Sequence, residues 1–250
     1  MKHIKSLFLL LIPALALSGC AARPAAATVS ARVIDPTRPM LALTFDDGPS
    51  KYTDSILDVL AAVGGKATFC LIGNQIDNFP ETVKRAAAEG HELAIHTWDH
   101  KELTALKSRD ICTELSKTKD KITEVCGIVP RVLRPSYGLV NDKIKAVAAD
   151  MDLVIVNWSV DTLDWKTKNP KSTVNAILRG AADGAIVLCH DLYGATAEAM
   201  KAVIPQLIEE GYQLVTVSEL LSYNATEVKA GDLYRKGGAR KTESSISAPQ

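Results

Sequence analysis

Short apolar runs alternate with longer stretches of helical spacing through most of the chain. Runs at 40–45, 67–71, 92–95, 132–134, 153–158, 185–189 and 213–217 are continuous rather than alternating, and they predict strands buried on both faces. Between them, apolar residues recur every three to four positions over 53–63, 80–89, 108–125, 141–149, 172–182 and 196–210, which predicts helices. Punctuation supports the boundaries: Gly64 and Gly65 follow the first helix, Pro80 opens the second, Ser172 is read as an N-cap, and Gly90 and Gly211 stand at C-terminal ends. Seven strands alternating with six helices imply an α/β fold with a parallel sheet, either doubly wound or closed into a barrel.

The pattern fails at both ends. Lys2 and Lys5 precede an eleven-residue apolar stretch from Leu7 to Leu17, the layout of a secretory signal and too short to span a bilayer. It ends in Leu17-Ser18-Gly19-Cys20, which resembles the lipobox of bacterial lipoproteins. The expectation is a signal peptide over 1–19, lipidation of Cys20, an Ala- and Pro-rich tether over 20–37, a catalytic domain over 38–222 and a polar, frayed tail over 223–250. The protein is then exported and held to an envelope membrane by acyl chains.

With 29 basic and 29 acidic residues the chain lacks the cationic excess that phosphate backbones demand, so nucleic acid is not an expected partner. No obligate protein partner is evident either. Four cysteines remain beyond Cys20. Cys112 and Cys126 fall on one predicted helix about 21 Å apart, and Cys70 and Cys189 sit in core strands, so four unbridged structural thiols are expected.

In parallel βα architectures chemistry collects where strands end. Here the strands run into Asp46-Asp47, His96 and His100, Arg134-Pro135-Ser136-Tyr137, Asp161 and Asp164 with Trp165, and His190-Asp191. Each alone reads as a cap, a turn or a satisfied core polar group; all of them on one rim read as a site. His3 and His91 do not join it. Two imidazoles and a carboxylate suit a divalent ion, and three protein ligands leave positions open. The candidates are His96, His100 and one of Asp46 or Asp47, because adjacent residues leaving a strand point in different directions and only one readily faces the ion. The other carboxylate can take a proton from water while the ion polarises a carbonyl. His190, oriented by Asp161 or Asp164, can protonate a leaving group, and Arg134 can pair with the base. A Ser or Cys nucleophile is not needed.

Thr44-Phe45-Asp46-Asp47-Gly48, His96-Thr97-Trp98-Asp99-His100, Arg134-Pro135-Ser136-Tyr137, Asp161-Thr162-Leu163-Asp164-Trp165 and Leu188-Cys189-His190 together resemble, in order, the motifs of the polysaccharide deacetylases, the NodB-homology carbohydrate esterases. The resemblance covers about 38–222. It implies a distorted, incomplete (β/α) barrel and metal-dependent removal of acetyl from N-acetylated sugars. It implies Asp46 as base, Asp47, His96 and His100 as ligands of one divalent ion, zinc first and cobalt or a similar ion next, and His190 as acid tuned by Asp161. It further implies that Arg134 anchors Asp46, that the Tyr137 N–H helps hold the oxyanion, and that Trp165 lines the groove. Ser136 replaces a more frequent second proline and Cys189 fills a variable position, and neither touches the chemistry. The leading substrate is N-acetylglucosamine in peptidoglycan, followed by chitin oligosaccharides or an envelope exopolysaccharide. Two rivals are an inactive glycan-binding relative and a non-haem iron oxygenase, which shares the two-histidine, one-carboxylate triad but not the βα alternation.

Overall fold

A computed structural model describes residues 33–224 and 227–238. Cys20, the signal and most of the tether lie outside these residues. The strands are β1 (Met40–Gly48), β2 (Thr68–Leu71), β3 (Glu92–Ile95), β4 (Val132–Leu133), β5 (Val154–Val156), β6 (Val160–Asp161), β7 (Ala185–His190), β8 (Gln213–Leu214) and β9 (Leu233–Tyr234). They form one parallel sheet in the order β6-β7-β1-β2-β3-β4-β5-β9, with β8 also on β1. The sheet curls into an incomplete (β/α) barrel whose path ends at β6 and β9. After β9 the chain crosses to the start of β7, where Lys236 bridges Ala185 and the Gly237 N–H donates to the Gly184 carbonyl at 2.8 Å.

Period-two alternation sorts the strand residues into two cores. Leu41, Leu43 and Phe45 point outward and pack with α1 (Thr53–Ala62), α2 (Pro80–Ala88) and α7 (Gly194–Glu209). Met40, Ala42, Cys70, Ala94, Val132, Val156 and Ile186 point inward and fill the barrel floor with mostly small and branched side chains. Continuing the inward parity toward the strand ends leads from Ala42 to Asp46, from Ala94 to His96, from Val132 to Arg134, from Val156 to Trp158 and from Ile186 to His190. The sheet itself therefore stacks a polar layer on an apolar one.

The helices α3 (Ser108–Cys126), α4 (Asp142–Asp150) and α6 (Pro170–Gly180) lie close to their expected places. Ser172 is not the N-cap of α6. Asn169 holds that position, its side chain accepting from the Ser172 N–H, with Pro170 as first helical residue. Two further helices carry no long period: α5 (Asp164–Thr167) and α8 (Val217–Asn224). The last central strand stops at Leu214, not Val217, because Thr216 and Glu219 cap α8 reciprocally: Thr216 N donates to Glu219 Oε2 at 2.8 Å and Glu219 N to Thr216 Oγ1 at 3.1 Å.

The segment read as a frayed tail is in part structural, since β9 pairs with β5 and Asn157 N donates to the Tyr234 carbonyl at 2.8 Å. At the other end Ile34 is already buried and Gln213 bonds to Asp35, so the compact unit begins at Ile34, inside the segment read as tether. Cys70, Cys112, Cys126 and Cys189 are free thiols, with Cys70 and Cys189 buried and Cys112 exposed.

Candidate active site

The inward parity of β1 delivers Asp46 into the barrel mouth, 3% exposed. A register shift between Asp46 and Gly48 against β2, with Asp47 at a φ of 70°, takes Asp47 off the ladder. The two aspartates consequently reach one cavity from different directions, and of the two it is Asp47 that joins the histidine cluster, as expected for adjacent residues leaving a strand. Asp46 meets Arg134, which has no exposed surface. Arg134 Nη1 donates to both Asp46 oxygens at 2.9 Å, Nη2 to Thr44 Oγ1 at 3.1 Å and Nε to the Val156 carbonyl at 2.8 Å. Its guanidinium lies over the Trp158 ring, 5.4 Å from the centroid. Behind the turn after β1, the buried Asp191 accepts from Thr53; burial raises its carboxyl to about 7, and a Cβ on Gly48 would run into it.

Asp47, His96 and His100 each offer a ligand atom within 4.8 Å of the other two. His96 Nδ1 sits 2.6 Å from the Arg134 carbonyl. A carbonyl only accepts, so Nδ1 carries the hydrogen and Nε2 faces the cavity. Asp47 Oδ1 lies 3.3 Å from His96 Nε2 and 3.4 Å from His100 Nε2, and it is buried without a hydrogen-bond partner. Acceptor atoms so arranged repel unless positive charge lies among them. A proton on His96 supplies part of it. Burial opposes ionisation of both groups, yet their attraction, with Asp46 acting on His96 as well, lowers Asp47 and raises His96 from their ordinary values. His100 is lowered, by burial first and then by His96. A divalent ion would satisfy all three atoms together, and a carboxylate with two imidazoles is a suitable donor set.

Both histidines sit in a loop held from outside by α3. Trp98 N donates to Glu114 Oε2 at 3.1 Å and Thr118 Oγ1 to the Thr97 carbonyl at 2.8 Å, fixing Thr97 and His100 at φ of 63° and 62°. Asp47, Tyr137 and Leu163 share this left-handed backbone. Each such residue costs on the order of 1 kcal/mol, so five at one rim mark strain concentrated around the cavity.

His190, at the end of β7, is oriented by Asp164 and not by Asp161. Asp161 stands on the short β6, exposed, and its Oδ1 accepts from Leu163 N at 2.9 Å. That turn, with Leu163 left-handed, swings Asp164 inward. Asp164 is 1% exposed and accepts from His190 Nδ1 at 2.8 Å, His190 N at 2.8 Å, Thr196 Oγ1 at 2.7 Å and Trp165 N at 2.9 Å. A carboxylate only accepts, so Nδ1 bears the hydrogen and Nε2 is directed away from Asp164. Burial disfavours the imidazolium, but the bond to Asp164 and its charge, with Asp46 and Asp47 adding, raise His190 to about 9.

Asp46, Asp47, His96, His100 and His190 line a cavity of about 470 Å³ together with Tyr137, Trp158, Trp165 and Tyr193. Tyr137 packs edge-on against His100, with ring centroids 4.6 Å apart, and it and Trp165 are exposed at the rim. Asp161 reaches the wall but not His190. Trp158 was legible from the inward parity of Val154 and Val156. Tyr193 lies in the loop after β7, where no periodicity points to it.

Fold and site define a class: an incomplete parallel (β/α) barrel with a two-histidine, one-aspartate cluster at its C-terminal rim, flanked by an aspartate–arginine pair and an aspartate–histidine pair. Comparison with known proteins gives the family. A family model described as polysaccharide deacetylase matches residues 34–156. The chain is 38% identical over 187 residues to a chitooligosaccharide deacetylase of Rhizobium leguminosarum bv. trifolii, covering 69% of this chain and 87% of that one. It belongs to the polysaccharide deacetylase family.

The chain is 39% identical over 188 residues to the peptidoglycan-N-acetylmuramic acid deacetylase PdaC of Bacillus subtilis, and 41% identical over 185 residues to the peptidoglycan-N-acetylglucosamine deacetylase PgdA of Listeria monocytogenes. These matches cover 75% and 74% of this chain but only 40% and 39% of the relatives, so the chain spans about two fifths of their length. A solved T48 deacetylase with substrate superposes with a TM-score of 0.76 at 37% identity, covering 81% of this chain and all of that one.

Proposed function

We propose that the protein hydrolyses the acetamide of N-acetylglucosamine units in peptidoglycan, releasing acetate and leaving a free amine. The observation that carries this reading is the convergence of Asp46, the Asp47–His96–His100 cluster and the His190–Asp164 pair around one 470 Å³ cavity. The names of PdaC and PgdA support peptidoglycan, although they differ in the sugar. The Rhizobium relative's name keeps chitin oligosaccharides as the second reading. The parallel (β/α) sheet speaks against the iron-oxygenase alternative. A filled set of acid, base and ligand positions speaks against an inactive glycan-binding relative.

Bound by Asp47, His96 and His100, a divalent ion, zinc first, would polarise the acetamide carbonyl and so make its carbon electrophilic. Asp46, fixed by Arg134, takes a proton from the attacking water as its oxygen bonds to that carbon. The backbone N–H of left-handed Tyr137 donates to the developing oxyanion. As the C–N bond breaks, His190 passes its proton to the nitrogen, so the amine leaves neutral and acetate remains. Tyr137 and Trp165 at the rim offer flat apolar faces for sugar rings. Acetate release from peptidoglycan and from N-acetylglucosamine oligomers tests the reading. Release is expected to stop on chelation and to return with zinc or cobalt; no acetate from either substrate with metal restored would overturn it.

We also infer that the chain is exported and lipidated at Cys20, on the strength of Leu17-Ser18-Gly19-Cys20 behind the apolar stretch. Cys20→Ser is expected to move the protein from the membrane fraction to the soluble one and to abolish acyl labelling in the producing bacterium; labelling that survives the substitution would refute it.

A further inference from the structure

The groove continues past the histidines. Asp47 and His100 also form a wall of a second cavity of about 410 Å³, so the two hollows share that wall. Its other lining is apolar at Tyr52, Ile72, Phe79 and Leu192 and polar at Gln75, and it carries one formal charge, Lys51. Tyr52 is held in place by Gly194 at the start of α7, where even a Cβ would come within 3.0 Å of its ring. Lys51 is exposed, with Nζ 5.0 Å from the Tyr52 ring centroid, and no carboxylate pairs with it among the described residues. Asp47, the carboxylate in the shared wall, is engaged with the two histidines.

We propose that this second cavity takes the sugar unit next to the one being deacetylated on the same glycan strand, and that Lys51 selects a unit bearing a carboxylate. The assignment rests on the deacetylase reading of the first cavity. A glycan with its acetamide at the Asp47–His96–His100 cluster must run on past one side of it, and the shared wall makes this cavity the adjoining space. The apolar side chains suit the flat faces of a pyranose ring. An unpaired ammonium at the edge suits an acidic substituent such as the lactyl ether of N-acetylmuramic acid, and it gives nothing to a neutral chitin unit. At a solvent-exposed site the gain is modest, about three- to fivefold in affinity.

The test is calorimetric binding to the full zinc-loaded protein. The probes are a tetrasaccharide of alternating N-acetylglucosamine and N-acetylmuramic acid with free lactyl carboxylates, and the same compound with those carboxylates converted to methylamides. The wild type is expected to bind the acid three- to fivefold more tightly than the amide, with the ratio shrinking at high salt. Lys51→Gln is expected to bring the ratio to about one, and Lys51→Glu to bring it below one. A ratio near one in the wild type, or a preference that survives in Lys51→Gln, would overturn the proposal. Acetate release by the wild type from neutral N-acetylglucosamine oligomers reports separately on the deacetylase reading.

Discussion

Asp46→Asn is expected to lower the rate of acetate release about a thousandfold while the protein keeps its divalent ion. The size follows from what a positioned general base contributes, roughly a hundred- to ten-thousandfold. The retention of metal follows from geometry, because the three converging ligand atoms belong to Asp47, His96 and His100. The amide also tests the Arg134 contact. Asn retains one oxygen to accept from Nη1 but not the negative charge, and Arg134 is wholly buried. Weakening hydrogen bonds to a charged group costs about 1.5–3 kcal/mol, so Tm should fall by roughly 5–10 °C. Metal analysis, thermal melting and single-turnover acetate release on one preparation separate these effects. His96→Ala, by contrast, should lose both metal and turnover. Metal lost on Asp46→Asn would make Asp46 a ligand, and turnover within tenfold of the wild type would remove it from the base role.

Much of this site was legible in the sequence because the parallel sheet obeys a simple parity. Asp46, His96, Arg134 and His190 each lie an even number of positions beyond an inward-facing apolar residue of the same strand, so fixing which apolar residues fill the barrel fixes where these side chains go. Trp158 follows the same rule. Parity stops where the ladder stops. Asp47 is set by a bulge and a left-handed backbone, and the choice between Asp161 and Asp164 by a turn in which Asp161 caps Leu163. Residues three apart in a loop have no period to sort them, which is why His190's partner could not be read along the chain. Strands β6 and β9 are two residues long and owe their place to neighbours already formed. The opening of α8, on the other hand, was written plainly in Thr216-Val217-Ser218-Glu219, a capping box hidden behind an apolar run.

The choice of Asp164 sets the second large effect. Asp164→Asn removes the charge, and leaves only a weaker neutral acceptor, where the carboxylate holds His190 protonated up to about 9. What remains is burial, which favours the neutral ring, opposed only by the weaker pull of Asp46 and Asp47, so the histidine should fall well below 9. The alkaline limb of the kcat profile is then expected to move down by about two or more pH units, with a loss at pH 8 of about a hundredfold that partly recovers at pH 6. Asp161→Asn, which leaves the His190 bond in place, should leave that limb where it is. Stability must change with the same sign. His190 is raised on folding, so its contribution is complete below about 6.5, where the unfolded chain also binds the proton, and is lost as pH rises through about 9. The part of the difference between wild type and Asp164→Asn that depends on the His190 proton should therefore be largest near pH 6, about 2–3 kcal/mol, and be gone above pH 9. Denaturant unfolding across that range, run beside the kinetic profile, checks both. An alkaline limb that moves with Asp161→Asn and stays put with Asp164→Asn would return the orienting role to Asp161.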